Sequence, residues 1–171
     1  MPTLWLYTTP QPNVVSKNFE GFNNGPWGHQ NLEYTYWVKG KKVDIIVLQI
    51  GKTSFTVNSV PKTLDSPPII KNSRTLVPIR AIIEALNGSI GWDANEKKVT
   101  VTLGSKTIEL WIGKNIAKVD GVNTPIDETN PNVVPEIING RTMLPLRFVT
   151  ENLGCTVAWD GTTKTITLTS P

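Results

Sequence analysis

Residues that build metal centres and catalytic triads are scarce in this chain. Cys155 is the only cysteine and His29 the only histidine among 171 residues. A single cysteine excludes an internal disulfide and a thiolate metal cluster. One histidine and one cysteine cannot supply the three or four soft ligands that zinc or copper sites need. A Ser-His-Asp triad could form only around His29. We therefore predict a non-enzymatic protein with no catalytic, cofactor-binding or metal site.

Strong charge and long apolar runs are also missing. The formal net charge is +3, and the lysines stand in pairs such as Lys41-Lys42 and Lys97-Lys98 rather than in a basic stripe, so nucleic acid is not an expected partner. No stretch approaches the roughly 18 consecutive apolar residues of a membrane span. The first residues, Met1-Pro2-Thr3-Leu4-Trp5, lack the basic and apolar segments of a secretory signal.

What the chain does contain is an internal duplication. The heptapeptide that begins at Arg74 (RTLVPIR) returns at Arg141 (RTMLPLR), and the spacing of 67 positions (141 minus 74) continues without a gap from Trp92-Asp93 to Trp159-Asp160. Repetition at a fixed spacing indicates one supersecondary unit per copy, which buries its apolar face against a neighbour.

Each copy has the pattern of hairpin, short helix and hairpin. Apolar residues at helical spacing follow Pro78 and Pro145, which predicts helices over 78–87 and 145–153 that end at Gly88 and Gly154. Asn139-Gly140 is a favoured two-residue hairpin turn. Alternating strands follow each helix, so the sequence predicts an α+β fold.

The duplication extends upstream with a different spacing. Leu48-Gln49-Ile50-Gly51-Lys52 matches the segment that begins at Leu110, a spacing of 62 positions (110 minus 48). The difference from 67 indicates a five-residue insertion in the second copy, in the polar loop 128–132. Loops tolerate insertions better than strands do.

These motifs resemble the copper amine oxidase N-terminal domain, also called the stalk domain. The resemblance covers about residues 44–171 in two tandem copies. It implies two pseudo-repeated units, each a twisted antiparallel sheet on one short α-helix, of a kind found in surface proteins of Gram-positive anaerobes. The family's stalk module carries no copper site and no quinone. We predict a β extension at 1–43 and repeats at 44–104 and 105–171.

Other candidate sites have structural interpretations that we favour. Arg80 with Glu84, and Arg147 with Glu151, are spaced as intrahelical ion pairs, and their duplication favours a scaffold role over catalysis. Cys155 is interpreted as a buried thiol rather than a nucleophile. Four residues of the inserted region could offer oxygens to calcium, but they lack the pattern of a known calcium loop, and a solvated insertion is favoured: Asp127, Glu128, Asn130 and Asn132.

Tryptophans provide the candidate contact surface. Trp92 and Trp159 lie at strand ends before Asp and are interpreted as core or corner residues. Trp111 alternates with Ile108, Leu110 and Ile112, so it should point outward, and Trp37 likewise lies opposite Tyr34 and Tyr36. An outward tryptophan marks either a contact surface or a contact with the neighbouring repeat.

Two functions fit these features. The first is a structural or adhesive module at a bacterial cell surface, a spacer or stalk that binds cell-wall or other polysaccharide. The second is a self-assembling subunit of a filament, spore coat or virion surface, with copies of the chain as homo-oligomeric partners. The first places the protein outside the cell or on its surface. The sequence does not identify the ligand or the assembly state.

Overall fold

The computed structural model describes the backbone of Trp37–Val38 and Lys41–Lys42 and all of residues 43–171. These residues form sixteen strands and two short helices. The strands of the first copy and the segment before it are β1 (Trp37–Val38), β2 (Lys41–Lys42), β3 (Ile45–Gln49), β4 (Ser54–Val57), β5 (Val60–Thr63), β6 (Ile69–Lys71), β7 (Arg74–Val77), β8 (Ser89–Asp93) and β9 (Lys98–Leu103).

The strands of the second copy follow in the same order. They are β10 (Lys106–Trp111), β11 (Ile116–Val119), β12 (Val122–Pro125), β13 (Glu136–Ile138), β14 (Arg141–Pro145), β15 (Thr156–Asp160) and β16 (Thr165–Thr169). Helix α1 spans Arg80–Ala85 and helix α2 spans Leu146–Asn152. Both lie inside the segments predicted to be helical; α1 has 6 residues and α2 has 7, so each is shorter than predicted. Neither helix is long and apolar enough to cross a membrane.

All strand pairs in the described residues are antiparallel. The sheets have the orders β12-β11-β10-β9-β8, β13-β14-β7-β6 and β15-β16-β3-β4-β5, beside the small pair β1-β2. The predicted antiparallel strands with one short helix per copy are thus confirmed. The division into domains at 1–43, 44–104 and 105–171 stays a prediction.

Each large sheet contains strands from both copies. The last strand of the chain, β16, pairs along its whole length with β3, and the corresponding strand of the first copy, β9, pairs with β10. In the central sheet β7 meets β14 through Val77 opposite Leu144 and Leu76 opposite Pro145. The final hairpin of each copy, β8–β9 or β15–β16, therefore pairs with the first strand of the other copy. This reciprocal pairing relates the two copies by a pseudo-twofold axis.

The hairpins are closed by turns whose sequence dictates their shape. Both central residues have positive φ in the four tight turns Asn58-Ser59, Asn72-Ser73, Asp120-Gly121 and Asn139-Gly140. Asn, Asp and Gly tolerate this conformation, and its twist matches that of the flanking strands. The predicted turn at Asn139-Gly140 is confirmed.

One continuous apolar core joins the two copies. Ile82 and Ile83 of α1 and Val149 of α2 are fully buried in the same cluster as Ile46 of β3 and Ile108 of β10. Each helix therefore buries the stripe that its apolar spacing predicted. Because the core is shared, the surfaces at which the two copies meet hold residues of both.

Candidate functional site

Trp111 lies on the sheet face opposite the core. In β10, Ile108 and Leu110 are fully buried, whereas Trp111 is partly exposed. Two lysine side chains flank its ring, with Lys98 Nζ 5.9 Å and Lys118 Nζ 6.0 Å from the ring centroid. These distances are typical of weak cation–π contacts. The ring is thus covered in part by its own chain, and its role in binding a partner stays a prediction.

The lysine opposite Trp111 is itself engaged. Lys98 pairs with Trp111 in the ladder, and its Nζ lies 3.0 Å from Glu96 Oε2 and 3.1 Å from Glu109 Oε1. The hydrogen bonds that Lys98 donates to Glu96 and then to Glu109 raise its pKa. The other predicted contact residue, Trp37, belongs to β1, and its side chain lies outside the described residues.

Two grooves on the surface contain the duplicated tryptophans. We call the groove that contains Trp92 groove 1 and the one that contains Trp159 groove 2; their volumes are about 360 Å³ and 520 Å³. Trp92 is 44% exposed and Trp159 is 42% exposed. Of the two interpretations of these residues, core is therefore wrong, whereas corner stays a prediction.

Strand order explains this exposure. Trp92 is paired with Val99 and Trp159 with Ile166, and both partners are buried. Cross-strand partners share a face, so the indoles start from the core side of their sheets. However, β8 and β15 are edge strands, and the rings extend past the core to form a groove wall.

Each groove is built from both copies. Groove 1 combines Trp92 and Arg80 of the first copy with Ile137 and Arg141 from the β13–β14 hairpin of the second. Groove 2 repeats this arrangement with the copies exchanged. The positions that correspond at a spacing of 67 and hold identical residues are Pro78 and Pro145, Arg80 and Arg147, Trp92 and Trp159, Ile70 and Ile137, Arg74 and Arg141, and Thr75 and Thr142.

The arginines are held differently in the two grooves. In groove 2, Arg74 Nε donates to Asp127 Oδ2 at 2.6 Å. In groove 1 the corresponding pair, Arg141 and Asp65, is 3.8 Å apart. The intrahelical pairs at Arg80 (3.9 Å to Glu84) and Arg147 (3.7 Å to Glu151) are long and exposed, so they contribute little to stability. Their predicted scaffold role stays a prediction.

Asp127 organises the inserted loop next to groove 2. Its Oδ1 accepts hydrogen bonds from the Thr129 backbone at 3.0 Å, the Thr129 hydroxyl at 2.8 Å and the Asn130 backbone at 3.0 Å. The Thr129 hydroxyl first, then the Thr129 backbone and Arg74, hold the pKa of Asp127 below its ordinary value. Because protein donors use the oxygens of this carboxylate, it is a poor ligand for calcium.

The exposed loop is anchored by hydrogen bonds to a neighbouring turn. Asn130 Nδ2 donates to the Asn72 carbonyl at 3.0 Å, and Asn72 Nδ2 donates to the Asn132 carbonyl at 2.6 Å. These bonds fix the insertion against the turn between β6 and β7. Four of the five residues of the loop are exposed, as expected for a solvated insertion, and the bonds add that the loop is anchored beside groove 2.

The described residues do not fit a copper ion. Within residues 43–171, no three His, Cys, Asp or Glu side chains converge in a way that could hold a metal. Cys155 is buried, and burial raises the pKa of its thiol, which disfavours the reactive thiolate. The only histidine, His29, lies outside the described residues.

The grooves could not be identified from the sequence by local patterns. The sequence shows that Trp92 and Trp159 and the arginines are duplicated. This duplication by itself indicates only a repeated structural role. Their meeting depends on the second copy's hairpin lying beside the first copy's edge strand. The available signal was the repetition itself, because the same aromatic and basic positions return in both copies.

Comparison with known proteins identifies the family. The copper amine oxidase N-terminal domain matches the chain twice, at residues 31–82 and 56–168. The second match covers more than half of the 171 residues and crosses from the first copy into the second. Searches of curated proteins and of solved structures found no match. The matched domain is an N-terminal one, not a catalytic domain. The chain therefore belongs to the copper amine oxidase N-terminal domain family.

Proposed function

We propose that the protein is a non-enzymatic binding module of a bacterial surface protein, a stalk that engages cell-wall or other polysaccharide outside the cell. The observation that supports this proposal is the duplicated groove with an exposed tryptophan at its wall. A large apolar ring left in water at two equivalent positions favours a role in contact.

The grooves have the composition of a sugar-binding surface. An indole offers a flat apolar face and a polar N–H, and a sugar ring stacks on such a face as nucleic acid bases do. Ile137 in groove 1 and Ile70 in groove 2 are half-exposed and extend the apolar wall. Arginines at the rim can donate hydrogen bonds to hydroxyl or acidic groups. An open groove of this kind suits a segment of a long polymer.

Co-sedimentation with insoluble cell-wall polysaccharide tests the proposal. We expect the wild-type protein to pellet with the polysaccharide and the double variant Trp92→Ala, Trp159→Ala to remain largely in the supernatant. Because both indoles are substantially exposed, the melting temperature should change little. A separate variant, Trp111→Ala, tests the ring of Trp111, which lies between two lysines on the opposite face of its sheet.

The outcomes are clear-cut. Wild-type protein that fails to pellet with a panel of neutral and acidic polysaccharides would contradict the proposal. Binding that survives the double variant but is lost in Trp111→Ala would move the site to the face of β10.

Self-assembly is the second candidate, and the exposed edges of two sheets favour it. Val60 of β5 is 54% exposed and Val122 of β12 is 67% exposed, at equivalent positions of the two copies. However, Pro61 and Pro125 lie in the same two strands. Proline lacks the donor that a further strand would need, so these edges are poorly suited to strand addition. A sedimentation coefficient that rises with protein concentration would favour this candidate.

A further inference from the structure

The two grooves follow the same plan but differ in charge. Groove 1 is lined by two arginines and one aspartate, a net charge of +1. Groove 2 is lined by two arginines and three carboxylates, a net charge of −1. The carboxylates of groove 2 are Asp127, Glu128 and Glu151.

We propose that groove 1 binds an acidic sugar residue of an anionic polysaccharide, with Trp92 as the stacking face and Arg80 and Arg141 as partners of its carboxylate or phosphate, and that groove 2 does not. This inference rests on the proposed function, since it assigns a ligand class to one of the two sugar-binding grooves.

Availability of the guanidinium is the first argument. Arg141 and its nearest carboxylate, Asp65, are 54% and 62% exposed and 3.8 Å apart, which is beyond hydrogen-bond distance. Such a pair costs little to separate. Arg141 can therefore turn to an incoming anion.

Arg74, the corresponding residue in groove 2, is already committed. It donates to Asp127, whose side chain is only 9% exposed, and also to the Ser73 carbonyl at 3.2 Å. A hydrogen bond to a charged and partly buried carboxylate is among the stronger ones in proteins. A ligand would have to break this pair, and it would leave Asp127 without its cation.

The glutamates of the two helices also differ in their position relative to the grooves. Glu151 lines groove 2, whereas Glu84, which occupies the corresponding position in α1, does not line groove 1. Glu128, from the inserted loop, adds a further negative charge to groove 2. Carboxylates at a rim repel an anionic polymer and reduce its rate of association.

The insertion accounts for one of the two carboxylates by which groove 2 differs from groove 1, namely Glu128. The loop 128–132 exists only in the second copy, and its bonds to Asn72 hold it in place. Groove 1 has no equivalent loop, so its rim near Asp65 stays open. The net charge of the two grooves therefore differs by two, one charge from Glu128 of the insertion and one from Glu151 of α2.

Titration calorimetry with matched soluble probes tests the inference. The carboxylate probe is polygalacturonate, and its neutral counterpart is the fully methyl-esterified polymer with the same backbone. Dextran phosphate, with unmodified dextran as its neutral counterpart, is the phosphate probe. We expect the wild-type protein to bind at least one anionic probe. If it binds polygalacturonate, it should bind that polymer more tightly than the methyl ester. Added salt should weaken the binding, since part of it is ionic.

Matched variants assign the binding to one groove. Arg141→Gln and Trp92→Ala should each weaken binding of the anionic probe about tenfold, the first by loss of a charge-assisted contact and the second by loss of the stacked ring. Arg147→Gln and Trp159→Ala, which make the same changes in groove 2, should leave it near the wild-type value. Arg147→Gln removes the same net charge as Arg141→Gln, so it controls for non-specific attraction.

Failure of the inference can be told apart from failure of the proposed function. Equal affinity for each anionic polymer and its neutral counterpart, polygalacturonate with its ester and dextran phosphate with dextran, would overturn the charge assignment while sugar binding stands. Equal losses in the variants of both grooves would overturn the assignment to groove 1. No binding to any probe or insoluble polysaccharide would contradict both. A wild-type dimer that Trp92→Ala dissociates would show instead that a second copy occupies groove 1.

Discussion

Two residues at the end of each helix determine how the chain turns into the next strand. After α1, the N–H of Asn87 donates to the Glu84 carbonyl and the N–H of Gly88 donates to the Ile83 carbonyl. The same pair of bonds follows α2, from Gly154 and Cys155. This is a Schellman arrangement, in which the first residue of the pair has left-handed backbone angles.

The left-handed residue differs between the copies. It is Asn87 in the first, with φ of 60°, and Gly154 in the second, with φ of 90°. Of the two glycines predicted to end the helices, only Gly154 therefore has a positive φ, because Asn87 takes the left-handed position in the first copy. Gly88 is required for another reason: a Cβ there would lie 2.6 Å from the Thr102 carbonyl oxygen and 2.8 Å from Ile83 Cγ2.

Replacement of Gly88 by alanine should be destabilising. The added methyl would force apart the helix end and the backbone of β9, and overpacking of this kind costs about 1–3 kcal/mol. Urea denaturation measures the loss. Gly91→Ala is the matched control, because a Cβ there meets nothing within 4 Å and alanine also suits a strand better than glycine. Equal midpoints for the two variants would show that the space at Gly88 is not limiting.

Asp127 should make stability depend on acid pH. Its pKa is lowered in the folded protein, so its contribution is fully present above the pKa of an unfolded aspartate, about 4. It is lost as the pH falls through the lower folded value, because the folded state must then take up the proton. Asp127→Asn lacks this contribution at every pH.

Urea midpoints at neutral and at acid pH measure this effect. We expect the wild-type protein to exceed Asp127→Asn at neutral pH, and the difference to shrink as the pH falls below 4. Asp65→Asn, at the corresponding position of the first copy, should show a smaller difference because its arginine pair is long and exposed. If the difference between the wild-type protein and Asp127→Asn is constant with pH, the asparagine destabilises the protein because its amide disturbs the hydrogen-bond geometry and not because the negative charge is lost.

At the scale of elements, predictability follows the range of the interactions that form each element. The turn Asn139-Gly140 and the short helices depend on neighbouring residues, and the sequence predicted them correctly. The outward phase of Trp111 follows from alternation within one strand. By contrast, β16 pairs with β3 although more than a hundred residues separate them in the sequence. No local pattern predicts which strand β16 pairs with.

The candidate site was less predictable for the same reason. Whether Trp92 is buried depends on β8 being an edge strand, and strand order is a property of the assembled sheet. The opposition of Trp92 and Arg141 requires the second copy's hairpin to reach the first copy's edge. The sequence indicated which residues were duplicated, but only their tertiary arrangement brings them into one groove.

At the scale of the whole molecule, the two copies depend on each other. Each five-stranded sheet draws three strands from one copy and two from the other, and the apolar core is one cluster. Separation of the copies would expose the unpaired edges of β3 and β16 together with the apolar residues beneath them. Such edges and faces are costly in water and prone to association.

A fragment of residues 105–171 should therefore not fold as a monomer, although it contains a complete copy. Its β16 would lack β3, and its β10 would lack β9. Since β3 and β10 occupy corresponding positions, β16 of one fragment can pair with β10 of a second, and two fragments together would reproduce the sheets of the intact chain. We expect circular dichroism and sedimentation of the fragment to show one of two results. The fragment is either an unfolded monomer or a folded dimer that dissociates and unfolds on dilution. The intact chain, by contrast, should unfold in one transition whose midpoint is independent of protein concentration. A folded monomeric fragment would show that each copy is an independent domain and that the exchanged hairpins are not needed for stability.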